Sequence, residues 1–417
     1  MKNKNIPEVR INIFCSKWEK YKLGNLGSFK NGMNFDKDAM GHGYPFVNLQ
    51  NVFGKTIVED EFLGLAESTD KERKDYNLLK GDVLFIRSSV KPEGVGEAAL
   101  ITKNLKNTTF SGFIIRFRPN NSINDDFKRI IFKTKSFRTQ IMARSTSSAN
   151  TNINQASLEK ITVNLPSVEE QMKIGLFFKN LDDMISLHKQ ELDALKQTKQ
   201  GFLQKMFPKE GTTIPETRFF GFHKQWEFKT LGDVLDSIYN GQTPSRNRND
   251  FWNGDINWLT SGELNRGLIN TTIEKITELG QRNSNLKVVP KNTLVIAITG
   301  LEAAGTRGNC SILGMETTLN QSCMALFPKK NLLDTTFLFQ WYRKVGESYG
   351  LRFTQGTKQQ SYNAEIIKKL EICLPSIEEQ IKIGEFFKQL DEVIELKEKE
   401  IEALKETKKG FLQKMFV

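Results

Sequence analysis

The sequence predicts an α+β protein: two globular mixed α/β domains, each followed by a long helix, with the helices pairing antiparallel as a coiled-coil-like spacer of internal pseudo-two-fold symmetry. Three observations predict it. A helical segment occurs twice, the regions before the two copies repeat loosely, and the excess positive charge is confined to those regions. At 417 residues the chain is also long for a single core.

The repeat comes first because it sets the domain plan. Leu165–Phe207 aligns without a gap on Leu374–Phe416, 209 residues further on, with 29 identities in 43 pairs. Before each copy the agreement is sparse: Trp18-Glu19 answers to Trp226-Glu227, Leu23-Gly24 to Leu231-Gly232, and Asn31-Gly32 to Asn240-Gly241. The order is therefore variable domain (1–164), shared helix (165–207), variable domain (208–373), shared helix (374–417).

The shared segments read as helices. Pro166 and Ser167 with Glu169 and Glu170 suit a helix start, and no proline follows until Pro208. Leu181, Ile185, Leu192, Leu195 and Phe202 form a heptad-like stripe once His188 and Lys199 are admitted as polar members. The second copy supplies Leu390, Ile394, Ile401, Leu404 and Phe411, with Lys397 and Lys408 in the polar places. Two near-identical stripes in one chain can pair with each other, and a two-fold axis across them makes the pair antiparallel. At 1.5 Å per residue, Leu181–Phe207 spans roughly 40 Å, close to one turn of B-DNA at about 34 Å. The polar seam positions either fix helix register or face solvent. Phe177, Phe178, Phe386 and Phe387 are either helix-pair core or contacts for a partner. Asp182-Asp183 reads as a solvated face.

In the variable domains Val83–Ile86, Phe113–Phe117 and Leu294–Ile298 read as buried strands of a mostly antiparallel or mixed sheet, and Asp126–Phe137 and Thr335–Tyr349 as helices. The net charge of +11 divides unevenly. Residues 1–164 carry 26 basic and 17 acidic groups and 208–373 carry 20 and 16, whereas the shared segments carry 6 and 6, then 8 and 10. A duplex-binding surface needs Lys and Arg against phosphate and Arg, Asn, Gln, Ser or Thr against base edges. That mixture marks Arg87, Ser88 and Lys91, and Arg144, Ser147, Ser148, Asn150 and Asn152 in the first domain. In the second it marks Arg246, Arg248, Thr299, Arg307, Lys358, Gln359 and Gln360. A solvated turn is the alternative for any single loop, but Ser147–Asn154 and Gly356–Asn363 fall at matched places in the repeat.

Enzyme signatures fail on inspection. Gly54-Lys55-Thr56 lacks the glycine a phosphate-binding loop needs at position 49, which is Leu49. Gly94-Val95-Gly96 precedes an apparent strand, not the helix a dinucleotide site requires, and reads as a tight turn. No methyltransferase Pro-Pro-Tyr segment, Gly-x-Ser-x-Gly elbow or histidine-activated nucleophile occurs. The four cysteines never form a Cys-x-x-Cys pair and lie far from the three histidines, so neither metal nor disulfides are expected. The polar N-terminus and the absence of a long apolar run predict a cytoplasmic protein.

The doubled Leu-Pro-Ser-(Val/Ile)-Glu-Glu-Gln-x-Lys-Ile-Gly-x-Phe-Phe-Lys-x-Leu-Asp, each closing a domain opened by Trp-Glu and Leu-Gly, resembles the specificity subunits of type I restriction-modification systems over the whole chain. The resemblance implies two target-recognition domains, each reading half of a split, asymmetric site in double-stranded DNA, and two conserved helices serving as ruler and docking surface. It implies two modification (methyltransferase) subunits as partners, with restriction/translocase subunits when present. S-adenosylmethionine, ATP and Mg are expected on those partners and no cofactor on this chain, which is expected to catalyse nothing. A non-catalytic basic scaffold that binds nucleic acid without reading sequence is the alternative.

Overall fold

The computed structural model describes residues 6–11, 13–120, 122–147, 150–301, 305–353 and 361–417. The chain packs as two units, residues 1–189 with 400–417, and residues 190–399. Each long helix, Val168–Lys205 and Ile377–Lys414, therefore supplies residues to both.

In the first unit Val83–Ile86 lies between Ile114–Pro119 and Ala98–Leu100, with Gly27–Asn31 beyond, in a four-stranded antiparallel sheet. All four residues of Val83–Ile86 are buried because the sheet is covered on both faces. Val83 and Phe85 pack with Phe132, Phe137 and the long helix, while Leu84 and Ile86 pack with Val47, Phe110 and Ile114. The second unit repeats the plan with five strands, in the order Leu235–Asn240, Cys323–Pro328, Leu294–Ala297, Cys310–Leu313 and Leu268–Ile269, the last pairing parallel. Each unit adds a three-stranded sheet built on an eight-residue strand, Met40–Val47 or Trp252–Leu259.

One expected helix is two. Asp125–Ile131 and Lys135–Arg144 replace a continuous run over 126–137. The Thr134 hydroxyl explains the break: it donates to the Ile131 carbonyl at 2.8 Å and accepts from the Phe137 amide at 3.3 Å, closing one helix and capping the next. The corresponding helix of the second unit, Thr335–Phe353, is continuous and runs four residues beyond the expected end.

Each domain begins and ends on one antiparallel ribbon, Glu19–Lys22 with Thr162–Leu165 and Glu227–Thr230 with Glu371–Leu374. The ribbon delivers the chain to the start of a long helix, where the doubled Glu-Glu-Gln does more than complement a helix dipole. Glu170 is buried and takes a two-pronged bond from Arg10 at 2.7 and 2.6 Å, and Glu379 takes the same from Arg218 at 2.6 and 2.7 Å. Gln171 accepts from the Asn124 amide and donates to the Pro166 carbonyl, as Gln380 does with Asp334 and Pro375. One turn further on, Gly175 and Gly384 allow contact with the domain. A Cβ there would stand 2.8 Å from Asp126 Cβ or 2.9 Å from Thr336 Cβ.

The last residues of the chain do in the first unit what a linker does in the second. The Val9 amide donates to the Lys414 carbonyl at 3.0 Å and Phe416 packs on Trp18 and Phe178. The Thr217 amide donates to Lys205 at 3.0 Å and Phe207 packs on Trp226 and Phe387.

Removing one partner of a buried ion pair strands the other, at a cost of about 3–5 kcal/mol, whereas replacing both by apolar groups costs little. Arg218→Ala is expected to lower unfolding free energy in urea by about that amount. Arg218→Met with Glu379→Leu is expected to restore most of it, and equal losses in the two variants would show that the pair is not the cause.

Candidate nucleic-acid interface and the helix seam

The seam is built from the stripe the sequence marked. Leu181, Ile185 and Ile401 are buried, and Leu192, Leu195, Phe202, Leu390, Ile394, Leu404 and Phe411 are half-buried. Within the first unit Phe177 meets Phe411 edge-on at 5.0 Å, Asp182 bonds Lys408, and His188 lies 3.4 Å from Glu400. Within the second, Phe202 meets Phe386 at 5.1 Å, Lys199 bonds Asp391, and Lys397 reaches Glu191 at 3.1 Å. In both units numbers rise on one helix as they fall on the other, so the helices pair antiparallel. Phe178 and Phe387, in contrast, are wholly buried in the cores of their own domains.

Of the polar seam positions, Lys199 is buried and His188, Lys397 and Lys408 are half-buried, each paired with an acid across the seam. Lys199 is 5% exposed, and through the repeat its bond to Asp391 is the same interaction as Lys408 with Asp182, as His188–Glu400 is to Lys397–Glu191. Asp182 is thus half of a cross-helix pair and not one of two solvated acids. Asp391 carries a further load: Arg343, on the Thr335–Phe353 helix, donates to it at 2.8 Å and ties the second domain to the same node. Such pairs disfavour alternative registers: a one-heptad slip that put Lys199 opposite Glu398 would put Lys408 opposite Lys189.

A second stripe is left partly exposed among the described residues. Val168, Met172, Leu176, Met184 and Leu187 are about half exposed, and so are Ile381, Val393 and Leu396, which stand at the places of Met172, Met184 and Leu187 in the repeat. Solvated helix faces rarely keep so many large apolar groups.

The candidate readers fall into groups. In the first domain the two polar loops meet in one small sheet, Ser88–Ser89 pairing with Thr151–Asn152 and that strand with Thr146–Ser147. The Ile153 amide donates to the Arg87 carbonyl at 2.9 Å, while the Arg87 guanidinium donates to Gly112 at 3.3 Å. Ser88 is buried and so positions its neighbours; Lys91 and Arg144 are exposed, and Asn150 and Asn152 half-buried. Ser148, Lys358, Gln359 and Gln360 lie outside the described residues, as does the side chain of Ser147.

In the second domain Thr299 bridges to Ser361, and the Tyr362 amide donates to the Ile298 carbonyl at 2.8 Å, the same junction as in the first. Arg307 lies on the turn that follows, with its Nε on the Leu301 carbonyl at 3.0 Å. Arg246 and Arg248 lie beside the Trp252–Leu259 sheet. Arg246 stacks on Trp252 at 3.8 Å and grips Glu274, while Arg248 grips Asp250 through two bonds at 2.8 and 2.6 Å. Both are thus paired with an acid of the same chain, while each guanidinium stays about half exposed.

The residues that sequence reasoning missed are Arg10 and Arg218, whose signal was their matched position before each Trp-Glu. Among the described residues no cluster of His, Cys, Asp or Glu is placed to hold a metal ion, and no helix is long and apolar enough to cross a membrane.

Comparison with known proteins agrees with this architecture. The type I restriction modification DNA specificity domain matches twice, over residues 15–197 and 223–406. The type I restriction enzyme MjaVIII specificity subunit of Methanocaldococcus jannaschii is 21% identical over 99% of this chain and 95% of its own length. The EcoR124I/EcoR124II specificity subunit of Escherichia coli is 29% identical over 40% of this chain and 41% of its own. The crystal structure of the type I restriction-modification S subunit from M. genitalium shares the fold, with a TM-score of 0.61 at 15% identity across 99% of both chains. The chain belongs to the family of type I restriction-modification specificity subunits, which are non-catalytic.

The seam carries a pH signature. Burial, with Arg343 nearby, pushes the Lys199 ammonium down to about 8 against the pull of Asp391, while an unfolded lysine titrates near 10.4. Between those values the unfolded chain holds a proton the folded chain has released, so this group makes stability rise with pH there and leaves it flat below about 8. The stability of the wild type minus that of Lys199→Met is expected to rise by up to about 3 kcal/mol from pH 8 to 10.4 in urea titrations. A pH-independent difference would contradict the buried ammonium.

Proposed function

We propose that this chain reads a split, asymmetric site in double-stranded DNA, one half-site per recognition domain, and directs two modification subunits to methylate adenine there. The observation that carries the reading is the doubled construction: two differently equipped domains, each joining two polar segments at a corresponding junction, built onto one antiparallel helix pair. Because the junctions carry different side chains, the half-sites differ. Arg87, Lys91, Arg144, Asn150, Asn152, Thr299 and Arg307 are the described residues that contact DNA. The partly exposed apolar stripe of the long helices fits helices of the modification subunits, which hold S-adenosylmethionine; ATP and Mg belong to restriction subunits. The complex works in the cytoplasm, where its DNA is.

The test is to co-express the chain with a candidate modification subunit, supply S-adenosylmethionine, and sequence the DNA for methylated adenine. A single split motif is expected, with one half lost when the corresponding domain is replaced. Leu187→Glu with Leu396→Glu is expected to abolish methylation and co-purification while leaving DNA affinity within about twofold. A stable complex that methylates nothing, and binds random duplex as tightly as any sequence with only the steep salt dependence of phosphate contacts, would favour the scaffold.

A further inference from the structure

Six non-glycine residues among those described have left-handed backbone angles. Five are asparagines, Asn107, Asn253, Asn285, Asn292 and Asn331, and the sixth is Arg266, at φ 60°. Asparagine tolerates this region because its short amide can bond locally; a long side chain gains nothing from it. An arginine kept there, where glycine would be free of strain, points to work done by its side chain.

That side chain reaches the turn bearing Arg307. Arg266 Nη2 donates to the Arg307 carbonyl at 2.9 Å and Nε to Asn309 Oδ1 at 3.3 Å. The backbone around it is fixed independently, with the Asn265 amide donating to Ser311 Oγ at 3.0 Å and the Ile312 amide to the Gly267 carbonyl at 3.0 Å. A strap held against the Cys310–Leu313 strand thus extends one guanidinium onto Gly305–Asn309.

The first unit makes the same tie from opposite parts. Gly54 follows its short 3-10 turn, Leu49–Asn51, by three residues, as Arg266 follows Ser261–Glu263, and it has φ 70°. There the Gly54 amide donates to the side chain of Glu97 at 2.7 Å. Glu97 corresponds to Asn309: each lends its carbonyl to the last residue of a central strand, Ile86 or Ala297. One unit therefore ties backbone to an acid in the turn, and the other ties an arginine to the turn's carbonyl and amide.

We infer that Arg266 is a positioning residue for the second half-site, holding the Gly305–Asn309 turn and with it Arg307 and the Thr299 junction, and that Glu97 does the same for the first. This rests on the two-half-site reading above. Beyond the Ala297 amide on the Asn309 carbonyl and the Arg307 bond to Leu301, Gly305–Asn309 is tied by a side chain outside it, so loss of that side chain loosens the reader without loosening the domain.

The experiment compares the full chain with its Arg266→Gly and Arg266→Asn variants, in complex with a modification subunit. Both replacements suit the backbone angle and cannot reach the turn, so melting temperature is expected to hold or rise. Hydrogen exchange over 305–309 is expected to quicken at least tenfold, and methylation at sites mismatched in the second half to increase at least tenfold, with the first half read as before. Glu97→Ala is expected to relax the first half alone. Unchanged exchange, unchanged discrimination, or a lowered melting temperature with both halves lost together would each overturn the inference. A wild-type complex that methylates no split motif overturns the functional reading instead, and the exchange rates then decide separately whether Arg266 holds the turn.

Discussion

The pairing of the two long helices depends on one interaction used twice, the bond between an aspartate on one helix and a lysine on the other. Asp182–Lys408 and Lys199–Asp391 are the same pair seen from the two copies of one sequence segment. A purely apolar stripe would let equal helices slide by a turn or a heptad at little cost. The buried Lys199 and the half-buried Lys408 resist sliding, because no one-heptad slip keeps an acid opposite both. The arrangement sacrifices some stability, visible in the depressed titration of Lys199, for a defined register. Arg343 extends the same constraint from the seam into the second domain.

The domains are joined to this frame by repeated devices and differ elsewhere. Arg10 and Arg218, Gln171 and Gln380, and Gly175 and Gly384 fasten each domain to its helix start in the same way. Beyond them the chemistry departs. The first domain holds the larger charge excess and presents Lys91 and Arg144 to solvent, while the second keeps Arg246 and Arg248 paired with Glu274 and Asp250.

The parts of this structure legible in the sequence were those with a period. Strands such as Val83–Ile86 and the heptad stripe announce themselves by burial patterns that depend on local spacing alone, and the long helices by their near-identity. What was not legible depended on contacts distant in sequence. Thr134 breaks a helix that composition alone would continue. Lys199 and Lys408 look like surface lysines until the opposing aspartate is placed. Arg10 meets Glu170 across 160 residues. Among the candidate readers, composition located the loops that meet at the two junctions but could not tell that Ser88 would be buried or that Arg246 would already hold an acid.

The proposed role of the helix pair as spacer between two half-sites is tested most directly by lengthening it without disturbing its register. The midpoint of the seam falls between the His188–Glu400 and Glu191–Lys397 pairs, so one heptad inserted after Gln190 and another after Lys399 keeps every cross-helix partner. Seven residues add about 10 Å at 1.5 Å each, or about three base pairs at 3.4 Å. Mapping methylated adenines in DNA modified by the lengthened complex is then expected to return the same two half-sites separated by a gap about three base pairs longer. An unchanged gap would contradict the helix pair as the element that sets it.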